Sequence, residues 1–320
     1  MSVDQVASAA RDAAVRIRDI VRRTPVERSA EFSELAGADV CFKLENLQHT
    51  GSFKLRGAAN RLLTLSATQR QNGCVAASSG NHGAAVACAM QKLGSTGVIF
   101  VPEKTSSAKI DAIRSYGGDV RFFGSDGLDT EQHAREYAAQ TGMFYLSPYN
   151  DLAVIAGQGS CGVEIAEQLP EVDAVFVAVG GGGLISGAGS VLRAINSDIQ
   201  IIGCQPQASA VMAQSIAAGR ILDLPSEPTL SDGTAGGIEA GAITFELCRS
   251  LVDDFVLVSE TQIAAAMRQY MQINDYAVEG AAGVAIAAML ASKDRIRGQN
   301  VIVIICGGNV SQATLDAVNS

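Results

Sequence analysis

One lysine stands in an unusual local setting in the stretch TGSFKLRGA. Lys54 follows a Gly-Ser turn and is flanked by the apolar residues Phe53 and Leu55. A lysine amine attacks an aldehyde only when it is neutral, and partial burial beside an aromatic ring lowers its pKa toward that state. Lys54 is therefore a candidate nucleophile for a carbonyl ligand. The alternative is an ordinary solvated lysine, and the local sequence leaves both open.

A run of glycines offers a second kind of chemistry, anion binding. Gly180, Gly181, Gly182 and Gly183 separate a strand-like run from a helix-like run in VDAVFVAVGGGGLISGAGSVLRAI. Without Cβ atoms, several backbone N–H groups can converge on an anion, and the N-terminus of the following helix adds about half a positive charge. The run predicts a phosphate-binding turn. The alternative is a tight packing turn, which glycine permits at an entropic cost.

The residues after the glycines argue against a nucleotide ligand. A dinucleotide site needs G-x-G-x-x-G and an acidic residue near the end of the next strand. Here Ser186 occupies the position of the third glycine, and the next strand-like run, IQIIGCQ, ends at Gln205. The chain also lacks the GK[ST] of a P-loop. These observations disfavour an NAD-dependent oxidoreductase and a P-loop NTPase.

A polar turn, SSGNHGAAV, lies between the strand-like run GCVAAS and a helix-like run. It supplies hydroxyls, an amide and an imidazole beside helix N-terminal N–H groups, from Ser78, Ser79, Asn81 and His82. Such a combination suits a carboxylate. The alternative is a helix cap in which His82 is hydrogen-bonded internally.

Alternating strand-like and helix-like runs place these turns in an α/β protein with parallel sheets flanked by helices. The strand-like runs are ADVCFKLE, GCVAAS, TGVIFVPE, DVRFFG, DAVFVAVG, IQIIGCQ, DDFVLVS and NVIVIICGG; helix-like runs include NHGAAVACAMQKLG, SAKIDAIRSYGG, GLDTEQHAREYAAQTG and ETQIAAAMRQYMQ. A third turn, CGGN, from Cys306 to Asn309, ends the last strand-like run. Because three glycine-rich turns follow three strands, we expect one ligand to lie across the carboxyl edge of a sheet.

The N-terminal segment predicts an amphipathic helix that ends before Pro25. Its apolar residues recur at helical spacing, at Val6, Ala9, Ala13, Ile17 and Ile20. Charges interrupt every apolar run in this segment, so it does not have the apolar core of a secretion signal.

Composition narrows the partners and the compartment. The chain carries 33 acidic and 24 basic residues, a net charge of −9, without a basic block, which disfavours nucleic acid and anionic membranes as partners. The seven cysteines are scattered without a C-x-x-C pair, so we expect reduced thiols and a cytoplasmic protein. The longest uncharged window is rich in glycine and predicts no membrane span.

The chain resembles the pyridoxal-phosphate enzymes of the tryptophan synthase β-like fold, specifically the serine/threonine dehydratase and serine racemase branch. The resemblance rests on five motifs that occur in the same order, KLENLQHTGSFKLRGA, SSGNHG, AVIAGQGS, GGGGL and CGGN. The resemblance covers nearly the whole chain. It implies a two-lobed fold, with a large cofactor-binding domain of residues 1–50 plus 150–320 and a small domain of residues 51–149. It also implies pyridoxal 5′-phosphate as cofactor, a small amino acid as substrate and a homodimer.

The resemblance assigns roles to individual residues. Lys54 would form the Schiff base with the cofactor and Phe53 would flank it, while the four glycines would hold its phosphate. Asn81 would bond the ring hydroxyl, and Glu279, in VEGAAGVA, would lie near the pyridine ring. The substrate carboxylate would be bound by Ser78, Asn81 and His82, and the substrate side chain would be bordered by Gly236 and Gly237. Ser79 matches the hydroxyl that serine racemases use on the ring face opposite the lysine.

The reaction implied is β-elimination from a 3-hydroxy amino acid, such as threonine, serine or a bulkier phenylserine, with release of a 2-oxo acid and ammonia. Lys54 would take the α-proton while the cofactor accepts electron density. The nearest alternative is an amino-acid racemase. A catalytically silent amino-acid or nucleotide-binding protein is a second alternative.

Two positions depart from the family pattern. Cys306 stands where the branch usually has a serine facing the pyridine nitrogen, and a thiol is a weaker donor. We therefore expect a neutral ring nitrogen, unless Cys306 is only a small packing residue. Gln205 and Val211 stand where serine racemases place a glutamate and an aspartate that bind a metal. Because hard divalent cations prefer carboxylate oxygens, we expect no metal at this site.

Overall fold

Two sheets organise the chain in the computed structural model, which describes residues 2–319. The strands are β1 Val26–Arg28, β2 Asp39–Leu44, β3 Cys74–Ala77, β4 Gly97–Val101, β5 Asp119–Phe122, β6 Phe144–Tyr145, β7 Ala174–Ala178, β8 Gln200–Pro206, β9 Asp254–Val258 and β10 Asn300–Ile305. The larger sheet has the order β1-β2-β10-β7-β8-β9 and the smaller one β5-β4-β3-β6. Every pairing is parallel except that of β1 with β2.

Helices connect and cover the strands. They are α1 Val3–Ile17, α2 Ala30–Ala36, α3 Lys54–Thr64, α4 Ala67–Asn72, α5 Asn81–Leu93, α6 Ser107–Arg114, α7 Gly127–Thr141, α8 Leu152–Gln168, α9 Gly183–Ile195, α10 Val211–Ala218, α11 Ile243–Leu251, α12 Glu260–Ile273, α13 Gly280–Ala291 and α14 Gln312–Asn319. Short 3₁₀ turns lie at Glu45–Leu47 and Gln207–Ser209. No helix within residues 2–319 is long and apolar enough to cross a membrane. The predicted α/β fold with parallel, helix-flanked sheets is confirmed.

The small sheet shows why its strands are continuously apolar. In β3, Ala76 packs with residues of α5, whereas Val75 packs with Ala134 and Ala138 of α7. Successive side chains of a strand point to opposite faces, so a helix on each face demands apolar residues at every position. The central strands of the large sheet follow the same rule, since all five residues of β7 are buried.

All eight predicted strands are present, and β1 and β6 were missed. These two strands contain three and two residues, too few to display a periodic pattern. The strands of the small sheet come from residues 74–145, and those of the large sheet from residues 26–44 and 174–305. The division into domains 1–50 plus 150–320 and 51–149 stays a prediction.

Helix α1 ends at Ile17, before Pro25, as predicted, but its buried face differs in detail. The buried residues are Val6, Ala7, Ala10, Ala13 and Ile17. Ala9 is exposed, and Ile20 lies beyond the helix end. Alanine is small enough to occur on either face, so the sequence pattern did not distinguish Ala9 from Ala10.

A buried ionic network fixes helix α3, the helix that begins with Lys54. The fully buried guanidinium of Arg56 donates to both carboxylate oxygens of Glu45, at 2.7 and 2.8 Å, and to both oxygens of Glu164, at 2.7 and 2.8 Å. Lys43 Nζ lies 2.6 Å from Glu164. Opposite charges and hydrogen bonds thus compensate the burial of each group, which ties α3 to β2 and α8.

Candidate active site

The turn that carries Lys54 is fastened to the end of β10. Phe53 N–H donates to the carbonyl of Cys306 at 3.1 Å, and Ser52 forms a β-bridge with Gly307. The TGSFK and CGGN motifs, 250 residues apart in sequence, therefore meet at the carboxyl edge of the large sheet. This is the edge at which open α/β sheets bind ligands.

The amine of Lys54 is held in a defined direction. Its Nζ donates a hydrogen bond to the carbonyl of Pro148 at 3.1 Å and lies 5.1 Å from the centroid of the Phe53 ring. Although the residue as a whole is only half-buried, loss of solvation around the amine lowers its pKa to about 8. Electrostatic interactions with Cys306 and Glu279 oppose this shift. The amine therefore becomes neutral at a lower pH than a surface lysine does.

The glycine run forms the expected turn before a helix. Gly182 is the N-cap of α9 and has φ +83°, a backbone conformation that favours glycine. A Cβ on Gly181 would collide with the ring of Tyr149, and one on Gly180 would lie 3.0 Å from the Cα of Thr234. A side chain at either position would thus push the loop away from Tyr149 or Thr234. One side of the turn is therefore glycine because of tight packing.

The other side of the turn offers free hydrogen-bond donors. Among the described residues, no protein acceptor bonds the backbone N–H groups of residues 180–185. Helix N-termini leave their first N–H groups unsatisfied, and such a cluster binds anions such as phosphate. The donors of this turn fit the phosphate of pyridoxal phosphate.

Asn81 begins α5 and meets Glu279 at the N-terminus of α13. Asn81 Nδ2 lies 2.9 Å from each carboxylate oxygen of Glu279. Asn309 Nδ2 donates in turn to Asn81 Oδ1 at 2.7 Å. The SSGNHG turn and the CGGN turn therefore belong to one hydrogen-bonded cluster that includes Glu279.

Glu279 and Cys306 are both buried close to the Lys54 amine. Desolvation raises the pKa of Glu279 to about 7, although Asn81 opposes the rise. Cys306 Sγ lies 4.0 Å from Glu279 Oε1, and burial raises the thiol pKa well above its ordinary value. Cys306 is therefore a neutral thiol near neutral pH, as its expected role beside a neutral ring nitrogen requires.

His82 has its own internal partner. Its ring is buried, and Nε2 lies 2.9 Å from the carbonyl oxygen of Leu146. Burial, together with the charge of Lys54, lowers its pKa to about 3, so the ring is neutral and Nε2 carries the donated proton. This bond is the one that the structural alternative for His82 expects, and the contact of His82 with a substrate carboxylate stays a prediction.

The two serines of the same turn differ in their bonding. Ser78 Oγ accepts from Gly80 N–H at 3.2 Å, whereas the Ser79 hydroxyl has no partner within the described part of the chain. Ser79 lines an open cleft of about 340 Å³ together with Lys104, Thr105 and Lys109. Its hydroxyl is thus available to a ligand, and its contact with a substrate stays a prediction.

The segment around Gly236 and Gly237 leaves open space. A Cβ at either glycine would meet no atom within 4 Å, and both residues are exposed. Thr234 of the same segment packs on Gly180 of the glycine turn. The expectation of room beside the substrate side chain is compatible with this geometry.

The positions expected to lack a metal are engaged in packing. Gln205 is buried, its Nε2 donates to the carbonyl of Val179 at 3.0 Å, and its Oε1 accepts from Ala213 N–H at 2.8 Å. Val211 is buried at the start of α10. Across residues 2–319, no group of three His, Cys, Asp or Glu side chains is arranged to hold a metal ion.

Sequence reasoning missed four contributors to this site. The carbonyl of Pro148 accepts a hydrogen bond from the Lys54 amine, and Asn309 donates one to Asn81. Tyr149 and Thr234 pack on the glycine turn. Only Asn309 lay inside a recognised motif. Pro148 and Tyr149 follow β6, the two-residue strand that the pattern did not reveal.

Comparison with known proteins identifies the class to which this arrangement belongs. Residues 17–307 match the family model described as pyridoxal-phosphate dependent enzyme, and the chain belongs to that family. It is 39% identical over 302 residues to the L-threonine ammonia-lyase of Thermotoga maritima, a match that covers 94% of this chain and 75% of the relative.

Solved structures with a similar fold support the same family. Threonine deaminase isoform 2 of Solanum lycopersicum, in its processed form, superposes with a TM-score of 0.94 at 34% identity, covering 99% of this chain and 93% of the other. Maize serine racemase superposes with a TM-score of 0.91 at 35% identity, covering 97% and 95% of the two chains. The expected branch, the fold and the dependence on pyridoxal phosphate are thereby confirmed, as is the expectation of a lyase-type enzyme.

Proposed function

We propose that this protein is an ammonia-lyase that converts a 3-hydroxy amino acid to a 2-oxo acid and ammonia by β-elimination. The observation that carries the proposal is the environment of Lys54. Its amine, with a pKa lowered to about 8, lies at the sheet edge where the glycine turn, Asn81 and Glu279 converge. The similarity to the Thermotoga maritima L-threonine ammonia-lyase supports the same reaction type.

The residues of the site divide the work. Pyridoxal phosphate, when bound, supplies a carbonyl carbon that reacts with amines and a ring system that accepts electron density. The N–H groups of residues 180–185 would hold its phosphate, and Asn81 and Cys306 would be the donors for its ring. In its neutral form, Lys54 accepts the proton from the substrate Cα at Nζ, where the Pro148 carbonyl directs the amine. The proton held at Lys54 Nζ passes to the departing Cβ hydroxyl, which leaves as water. Addition of one water to the remaining dehydroamino acid then gives the 2-oxo acid and ammonia.

The proposed carboxylate site consists of Ser78, Asn81 and His82 together with the N-terminal N–H groups of α5. Gly236 and Gly237 border the substrate side chain in this proposal, and the space beside them supports acceptance of a substituent bulkier than methyl. Threonine, serine and phenylserine are therefore the candidate substrates. We also expect a cytoplasmic homodimer.

An amino-acid racemase is the second candidate, and the unpartnered Ser79 hydroxyl favours it. A racemase needs a second group that exchanges the α-proton, and a free hydroxyl near the site could serve. The similarity to maize serine racemase supports the same alternative. A silent binding protein is not supported, because a binding role requires no neutral amine.

The test is a substrate panel with two detectors. The purified holoenzyme is incubated with each enantiomer of serine, threonine and threo-phenylserine, and 2-oxo acid, ammonia and the chirality of unreacted substrate are measured. The lyase releases 2-oxo acid and ammonia in equal amounts, whereas the racemase produces the opposite enantiomer. Preference for serine over phenylserine would count against the bulky-substituent proposal.

Two variants sharpen the assignment. Lys54→Ala should abolish both activities and the visible absorption of the bound cofactor. Ser79→Ala should abolish racemisation, while elimination persists if Lys54 alone handles the proton. Failure of every substrate in the panel to yield either product would refute the proposed function.

A further inference from the structure

Asn309 occupies a junction between three segments of the site. Its Nδ2 donates to the carbonyl of Thr50 at 2.8 Å and to Asn81 Oδ1 at 2.7 Å. The first bond reaches the turn before Lys54, and the second reaches the first residue of α5. One amide group therefore connects the lysine turn to the polar turn.

The lysine turn is shaped to admit this amide. Gly51 has φ +70°, and a Cβ at that position would collide with Asn309 Oδ1. In addition, Gly308 N–H donates to the carbonyl of Gly51 at 2.9 Å, which brings the two turns together. The glycine in TGSFK and the asparagine in CGGN are thus complementary, because one leaves the space that the other fills.

The bond from Asn309 determines which way the Asn81 amide faces. An asparagine amide has an acceptor on one side and two N–H donors on the other. Since Asn81 Oδ1 accepts from Asn309, Nδ2 must face Glu279, whose two oxygens both lie 2.9 Å away. The donor of Asn81 is thereby aimed into the cluster that contains Glu279, Cys306 and Lys54.

Glu279 alone does not fix this orientation at every pH. Its pKa is raised to about 7, so near neutral pH a large share of the molecules carries a protonated carboxyl. A protonated carboxyl can donate as well as accept, and so it can pair with either side of an amide. Asn309 does not titrate, and its donor selects one orientation of Asn81 whatever the state of Glu279.

We propose that Asn309 is a positioning residue that holds the Asn81 amide with its N–H donors directed into the cofactor site. It acts through Asn81 and does not itself contact the reacting atoms. Loss of this donor should weaken cofactor binding, since Asn81 would then spend part of its time with the amide reversed.

A double-mutant cycle tests the proposal through cofactor affinity. The variants are Asn309→Asp, Asn81→Ala and the double variant, each purified as holoenzyme and dialysed to equilibrium against a series of pyridoxal phosphate concentrations. Aspartate keeps the shape of asparagine but cannot donate, and it competes with Glu279 for the Asn81 N–H groups. We expect Asn309→Asp to weaken cofactor binding by up to about tenfold, the upper end of the range for one neutral hydrogen bond. In the Asn81→Ala background the same change should have less than about a twofold effect.

Controls separate positioning from charge and from folding. Asn72→Asp makes the same chemical change at an exposed asparagine whose Nδ2 bonds the Gly142 carbonyl at 3.0 Å, and it should leave the cofactor affinity unchanged. Asn309→Ala removes the donor without adding charge and serves if the aspartate variant fails to fold, as judged by circular dichroism. The proposal is overturned if either Asn309 substitution has no effect in the native background, or if the effect persists undiminished without Asn81.

Discussion

The side-chain amine of Lys54 donates a hydrogen bond to the carbonyl oxygen of Pro148 across 3.1 Å. A carbonyl oxygen accepts a hydrogen bond from either the charged or the neutral amine, so this hydrogen bond persists when Lys54 is deprotonated. It therefore leaves the lone pair of the neutral amine free on the opposite side. The bond links α3 to the loop before α8, and the proposed reaction requires this amine to change its protonation state.

The first prediction concerns pH. The apoprotein should combine with pyridoxal phosphate at a rate that rises with pH around a midpoint near 8, because burial lowers the Lys54 pKa to about 8 and only the neutral amine reacts. Glu279→Gln removes a negative charge that raises this pKa, so it should move the midpoint to lower pH. Stopped-flow absorbance measures both, with Lys54→Ala as the blank. A midpoint close to the ordinary lysine value of 10.5 would contradict the structure.

The second prediction concerns the thiol of Cys306. If this neutral thiol faces the ring nitrogen, Cys306→Ala should change the visible spectrum of the holoenzyme and lower turnover by about tenfold, the loss expected for one donor. Cys306→Ser keeps a donor and should stay within about threefold of the native enzyme. Absorption spectra and turnover of the preferred substrate measure the effect. An unchanged spectrum and rate in the alanine variant would assign Cys306 to packing alone.

The third prediction concerns the glycine turn. Gly181→Ala places a methyl group against the Tyr149 ring, so the loop must shift and its N–H groups must lose their arrangement. We expect cofactor affinity to fall by at least about tenfold. The matched control is Gly127→Ala, because a Cβ there meets no atom within 4 Å and the residue begins helix α7. Equal affinities of the two variants would show that the turn does not hold the phosphate.

The fourth prediction concerns the buried network beneath Lys54. Arg56→Met leaves the buried Glu45 carboxylate without its ion-pair partner, whereas Glu164 keeps its pair with Lys43. It should lower the free energy of unfolding by about 3–5 kcal/mol. Arg28→Met breaks the exposed pair with Asp39 and should cost less than about 1 kcal/mol. Urea denaturation of both apoproteins compares them. Similar losses in the two variants would show that the network does not contribute more than a surface pair.

The fifth prediction concerns metals. Both polar atoms of the Gln205 amide are bonded within the protein, so this position offers no free ligand for a divalent cation. Treatment with EDTA should leave activity unchanged, and added magnesium should not increase it. Activity after chelation and gel filtration provides the measurement. Loss of activity that magnesium restores would be evidence of a metal site.

Long strands and the helices that follow them were predictable because they contain enough residues to show an apolar periodicity. The strand β10 and the helix α5 are examples, and the turns at their ends contain the chemically active motifs. Strands β1 and β6 were not predictable, since two or three residues carry no periodicity. The loop after β6 was therefore missed, and with it Pro148 and Tyr149.

The sequence by itself determined the class of chemistry, because a lysine beside a phenylalanine, a tetraglycine turn and two polar turns occur in a fixed order that resembles one family. The tertiary structure decided which of these groups face one another. It bonded the His82 ring to the carbonyl of Leu146, and it joined Asn81 to both Glu279 and Asn309. The physical reason is that hydrogen-bond orientation and desolvation depend on neighbours from distant segments, which only the folded chain brings within 3 Å of each other.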